Sequence, residues 1–205
     1  YRKKATKKVT KVFTEEETEY EHVEIVGDER VIKKIRIKLS FPQIREPFPL
    51  TWSINEPLKV VATAYEDNKQ IPSDFEFYIN DLRVSKGREI IYTFKEKGIY
   101  RIKAVLRVND SVYEKTRNIK IVEYREEVIE LYNRYFLKWV RESGIEVSKR
   151  TPEEIMYDVI DKTEEKDELI EKITLIFEEA KYSTHEIGRK HYEEFYMVLY
   201  NLKIL

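Results

Sequence analysis

The 205-residue chain contains no cysteine. That absence removes disulfides, thiolate metal sites and every cysteine nucleophile, a papain-like one included. It leaves the redox compartment open, since a chain without cysteine works on either side of a membrane. Glycine (5 residues) and proline (6 residues) are sparse, and the chain has no glycine-rich phosphate loop and no nucleophile elbow. Histidine occurs only at His22, His185 and His191. The last two stand six apart, about 240° round a helix, so on one helix they cannot share a metal as an i, i+4 pair does. No run of about 18 apolar residues is present, so no segment of the chain itself is expected to cross a membrane as a helix.

What the chain has in abundance is charge of both signs. Lys+Arg number 38 and Asp+Glu 39, a net charge of -1, so any attraction to nucleic acid or an anionic surface has to be local. High Glu and Lys content with only two glutamines, Gln43 and Gln70, is the balance expected of a protein from a hot environment. The densest basic cluster is Tyr1-Arg2-Lys3-Lys4-Ala5-Thr6-Lys7-Lys8, of the kind found just cytoplasmic of a membrane span. Residues 1–20 are read as a juxtamembrane-like segment, with the apolar residues of a span expected immediately before Tyr1. A second basic run, Lys33-Lys34-Ile35-Arg36-Ile37-Lys38, lacks interleaved aromatics. It reads as a wet strand face that discourages edge-to-edge association rather than as a nucleic-acid site.

Candidate chemistry is thin. The acidic pairs Glu126-Glu127, Glu164-Glu165 and Glu193-Glu194 are what chance adjacency gives among 39 acidic residues, and solvated helix faces explain them better than acid–base pairs. Asp67-Asn68 and Asn109-Asp110 lack the calcium loop with its central glycine. No catalytic, cofactor-binding or metal-ligating residue is assigned, and no enzymatic activity is expected.

The hydrophobic pattern divides the chain. From His22 to Leu39, Val23, Ile25, Ile35, Ile37 and Leu39 alternate with polar residues around Gly27-Asp28, which predicts a hairpin with one wet face. Pro42, Pro47 and Pro49 mark a connector. Short strands follow at Leu58 to Tyr65, Phe75 to Ile79, Ile90 to Phe94, Tyr100 to Val108 and Val112 to Val122, separated by Asx-rich turns. Such spacing, with no helix between strands, predicts an antiparallel sandwich over residues 21–123.

From Tyr124 the period becomes about 3.6. Val128, Leu131, Tyr132, Tyr135 and Trp139 form one stripe, broadened by Phe136 and Val140, and Ser143-Gly144 closes that helix. Thr151-Pro152-Glu153-Glu154 reads as a capping box opening a second helix that carries Ile155, Met156, Val159 and Ile160. A third, from about Glu164, carries Leu169, Ile173, Ile176, Phe177 and Ala180. Ser183-Thr184-His185-Glu186 offers a further capping box for a fourth, carrying Ile187, Phe195, Leu199 and Leu202. The predicted fold is therefore α+β in two domains: an antiparallel immunoglobulin-like β-sandwich and, over residues 124–205, a small four-helix bundle.

Two resemblances add to this. Lys97-Gly98-Ile99-Tyr100-Arg101-Ile102-Lys103 with Ile119-Lys120-Ile121 resembles the last two strands of immunoglobulin-like and polycystic-kidney-disease-type domains, and Trp52 and Asn55-Glu56-Pro57-Leu58 resemble earlier strands. Only the general sandwich, with adhesion or spacer roles, is implied. Val128 to Phe136, Ser143-Gly144-Ile145, Arg150-Thr151-Pro152-Glu153-Glu154 and Ile173 to Ser183 resemble an uncharacterised helical domain at the carboxyl end of bacterial and archaeal transglutaminase-like membrane proteins. That resemblance implies a domain following a membrane span on the cytoplasmic side. Its relatives tend to be encoded near an AAA-type ATPase and a von Willebrand factor-like protein, which implies an envelope-associated assembly. It supplies no site residues. The expected role is thus a non-enzymatic, membrane-linked interaction or scaffold protein. The alternative is a glycan- or envelope-polymer-binding accessory module using exposed tyrosines among the 15 present as stacking platforms.

Overall fold

The computed structural model describes residues 8–26, 29–108, 111–163 and 167–205. It is an α+β chain in two compact units, Tyr1–Ile121 and Val122–Leu205. Of the sequence expectations, those on Tyr1 to Lys7, Gly27-Asp28, Asn109-Asp110 and Glu164-Glu165 lie outside the described residues, as does the side chain of His22.

The first unit holds β1 (Lys8–Thr14), β2 (Glu17–Val26), β3 (Glu29–Ser40), β4 (Thr51–Ser53), β5 (Pro57–Glu66), β6 (Lys69–Ile71), β7 (Phe75–Ile79), β8 (Leu82–Gly87), β9 (Glu89–Thr93), β10 (Gly98–Val108) and β11 (Ser111–Val122). One sheet runs β1-β2-β3-β5-β6, with β9 also on β5, and the other runs β4-β11-β10-β7-β8. Period-two patterning sends Ile37 and Leu39 from β3, Leu58, Val60 and Ala62 from β5, Phe75 and Phe77 from β7, Ile102 and Ala104 from β10, and Ile119 from β11 into one buried cluster. Two sheets sharing one core are a β-sandwich. Each such large side chain contributes roughly 1.5–3 kcal/mol by leaving water. Asp67 and Asn68 (φ 44° and 67°) and Asn80 and Asp81 (φ 47° and 67°) make the tight turns, in the left-handed region that Asn and Asp tolerate.

Two expectations change. Residues 8–20, placed in the juxtamembrane-like segment, supply β1 and the start of β2, and Tyr20 is buried in the core. Leu82–Gly87, unread as a strand, is β8; its burial pattern has no apolar alternation because it is an edge strand held only by β7.

The second unit begins with α1 (Tyr124–Leu131), a π-helical turn (Tyr132–Phe136) and α2 (Leu137–Glu142), one continuous helical run. Then come α3 (Pro152–Lys162), α4 (Asp167–Tyr182) and α5 (Arg189–Asn201). The predicted first stripe is corrected. Val128, Tyr132, Phe136 and Val140, four residues apart, are each at most 1% exposed, while Tyr135 and Trp139 are only partly buried. In a pure α-helix each four-residue step overshoots a turn by about 40°, so such a row would drift off the core. The π turn, in which the Leu137 N–H reaches back to the Tyr132 carbonyl, takes up that overshoot.

Two helix ends follow the local sequence signals, and one expected start does not. Glu154 N–H donates to Thr151 Oγ1 (3.2 Å) and Thr151 N–H to Glu154 Oε2 (2.7 Å), completing the predicted capping box. Gly144, at φ 79°, follows the end of α2. The exception is Ser183, which caps no helix: its hydroxyl accepts from His185 N–H, and α5 starts only at Arg189 after Gly188. Ile187 is therefore a buried loop residue, not a helical one.

Candidate interaction surfaces

On the outer face of the first sheet the basic residues of β3 meet acidic partners on β2 and the β1–β2 turn. Lys34 lies 3.4 Å from Glu19, Arg36 lies 3.7 Å from Glu17 and Lys38 lies 3.2 Å from Glu16. The basic run is thus one rail of a ladder of opposite charges. Exposed pairs of this kind contribute about 0.2–1 kcal/mol each and chiefly fix register. Arg36 also covers the Tyr65 ring at 4.9 Å.

The tyrosines of this unit are engaged. Tyr20 and Tyr113 pack edge to face in the core, and Tyr92 and Tyr100 pack on Phe94. Lys103 lies over Tyr78, whose hydroxyl donates to Glu76 at 3.0 Å. That bond, with Arg107 and Arg83 beside it, holds the Glu76 carboxyl below the usual carboxylate range. Tyr20 and Tyr113 are buried, whereas Tyr65, Tyr78, Tyr92 and Tyr100 are half-buried.

A cleft of 440 Å³ opens between β8 and β9, lined by Val84, Ser85, Glu89, Ile90, Ile91 and Tyr92. It sits where the two sheets part, beside the outer edge of β9.

In the helical unit Arg125 reaches from α1 to the end of α4. Its guanidinium donates to the carbonyls of Glu179 (3.3 Å), Ala180, Ser183 (2.9 Å) and His185. The Glu179 carbonyl also accepts from Ser183 N–H at 3.1 Å, and the other three lie at or beyond the end of α4, so one side chain gathers the last carbonyls of α4 and those of the loop after it. Sequence reading missed this because the partners lie more than 50 residues away.

His185 and His191 do approach one another's surroundings, since they are not on one helix. His185 Nδ1 lies 3.3 Å from Glu179 Oε1 and His191 Nε2 lies 3.9 Å from Oε2. His191 Nδ1 accepts the Gly188 N–H, which leaves the proton of the neutral ring on Nε2, facing the carboxylate. The ring is thus set as a cap at the start of α5. Among the described residues no group of three His, Cys, Asp or Glu is arranged to hold a metal. The acidic pair Glu193-Glu194 is tied to cations, Glu193 to Arg189 at 2.7 Å and Glu194 to Lys172 at 3.2 Å.

Tyr132 is the anomaly of this unit. It is 1% exposed, stacked on Phe177 with ring centroids 3.7 Å apart, and its hydroxyl has no hydrogen-bond partner among the described residues. Burial pushes its pKa well above the ordinary phenol value, with Glu178 nearby adding to the shift. By contrast α4 turns Leu175 and Tyr182 outward, each 64% exposed.

No family model matches the chain, and no curated protein matches it. Among solved structures it is similar to the CARDB domain of a Pyrococcus furiosus protein, at 15% identity and TM-score 0.34, over 44% of this chain and 95% of that one. A crystal structure of the same domain in complex with di-metal ions gives 16% and 0.31, over 42% and 85%. Fibronectin(III)-like modules of Clostridium thermocellum CbhA give 16% and 0.30, over 51% and 60%. No helix among the described residues is long and apolar enough to cross a membrane.

Proposed function

We propose that the chain is a non-enzymatic, membrane-linked interaction or scaffold protein of an envelope-associated assembly. In this reading an immunoglobulin-like sandwich domain carries a four-helix domain and offers it to a protein partner. The observation that carries the reading is on α4. Leu175 and Tyr182, seven residues and about two turns apart, project from the same side of the helix and remain 64% exposed, while Ile170, Ile173 and Phe177 on the opposite side are buried. Paired apolar anchors at this spacing are what helix-in-groove recognition uses.

The membrane link rests on the basic start of the chain and on the resemblance of the helical part to domains that follow a membrane span. The same resemblance favours the cytoplasmic face, and an AAA-type ATPase or a von Willebrand factor-like protein as partner. Cross-linking in native membranes tests the reading: a discrete protein adduct is expected, and its loss in a Leu175→Glu, Tyr182→Glu variant. A chain that cross-links to no protein contradicts it.

A further inference from the structure

Among the described residues β9 pairs only with β5, on one of its two edges. The β5–β9 register pairs Val60 with Ile90 and Leu58 with Tyr92, and Ala62 N–H donates to the Arg88 carbonyl at 3.0 Å. Antiparallel pairing alternates, so Arg88, Ile90 and Tyr92 aim their amides and carbonyls at β5, while those of Glu89, Ile91 and Thr93 aim away from it. In a constant-type immunoglobulin sandwich a further strand of the same sheet lies alongside this position. Here the preceding strand, β8, crosses to the opposite sheet and pairs β7 instead, which leaves no strand beside the outer edge of β9 among the described residues.

Two other edges near it are blunted. Where β3 ends, the Gln43 side chain stands in for a strand, accepting from Lys59 N–H (2.6 Å) and donating to the Pro57 carbonyl (3.2 Å). β8 is interrupted by a register shift between Phe77 and Tyr78 of its partner β7. β9 has neither device. It exposes Ile91 at 69%, and the 440 Å³ cleft lies alongside, lined by Val84, Ile90 and Tyr92 among others. The rim is cationic. Lys86 and Arg88 are exposed with no ion-pair partner among the described residues, whereas Glu89 is neutralised by Lys59 at 2.8 Å.

We infer that β9 binds an extended segment of a partner protein by β-augmentation, with alternate apolar side chains filling the cleft and covering Ile91, and acidic residues meeting Lys86 and Arg88. The inference rests on the proposed role as an interaction protein and adds a second, distinct contact to it. Main-chain bonds supply affinity in such complexes, and alternate side chains and end charges supply selectivity.

The probe is a synthetic peptide of about ten residues, alternating valine and threonine between acidic ends, titrated into the full chain and followed by backbone amide NMR. Saturable shifts at Glu89, Ile91 and Thr93 are expected. Ile91→Pro removes the outward amide without touching β5 pairing and is expected to weaken binding at least about tenfold, while Ile91→Thr, which keeps the amide, loses far less. Lys86→Glu with Arg88→Glu reverses the preference towards a lysine-ended peptide. Undiminished binding by Ile91→Pro, or saturation without shifts on β9, overturns the inference, as does failure of the wild type to bind either peptide. If membrane cross-links persist in Ile91→Pro, the interaction role stands while the β9 contact falls; peptide binding without any membrane adduct separates the two the other way.

Discussion

A single hydroxyl illustrates how far burial and hydrogen bonding can diverge. Tyr132 stacks on Phe177 in the core of the helical unit, yet its oxygen is left without a partner there. A buried unsatisfied group costs about 1–3 kcal/mol. Tyr132→Phe keeps the ring and removes that cost, so urea unfolding should show a rise of about 1 kcal/mol rather than the usual loss on core mutation. Thr151 and Glu154 behave in the opposite sense, because every group is matched. The Thr151 N–H holds the Glu154 carboxyl below its ordinary pKa, and Arg150 does the same for Asp158. Carboxyls depressed in the folded state add stability that is present above their unfolded pKa and lost as pH falls through the folded one. Glu154→Gln still accepts from Thr151 N–H but cannot titrate, so the drop in urea midpoint between about pH 7 and pH 3 should be smaller than in the wild type. The capping box was legible in the sequence because donor and acceptor are three residues apart. The Arg125 clamp and the approach of His185 and His191 to Glu179 were not, since tertiary folding brings those groups together.

At the scale of elements, the π turn decides which aromatics of the first helical run are core. A regular 3.6 period assigns Tyr135 and Trp139 to the inward stripe, but Phe136 and Val140 take those places. Phe136→Ala is expected to cost about 3–5 kcal/mol, and Tyr135→Ala clearly less, in chemical denaturation. Equal losses would mean that the turn does not reset the helix. Strands with a half-buried alternation, such as β5, β7 and β10, were readable from period two alone. The edge strands β6 and β8 were not, because strands of three and six residues with mostly exposed side chains carry no hydrophobic signal. The false helix start at Ser183 has a different cause: the serine does bond to a backbone N–H, but two residues on, in a turn.

At the scale of the molecule, an antiparallel sandwich and a helical unit each enclose their own buried cluster. The switch from period two to period 3.6 near Tyr124 marked that division in the sequence, and the compact units part at Val122. Function was less legible, because exposed side chains such as Leu175, Tyr182 and Ile91 look like core residues until burial is known. The interaction role is tested most directly by placing a photo-cross-linking amino acid at Leu175 in the full chain in native membranes. The account predicts one discrete protein adduct that disappears when Tyr182 is also changed to Glu. No adduct, or a diffuse ladder unchanged by Tyr182→Glu, would contradict it.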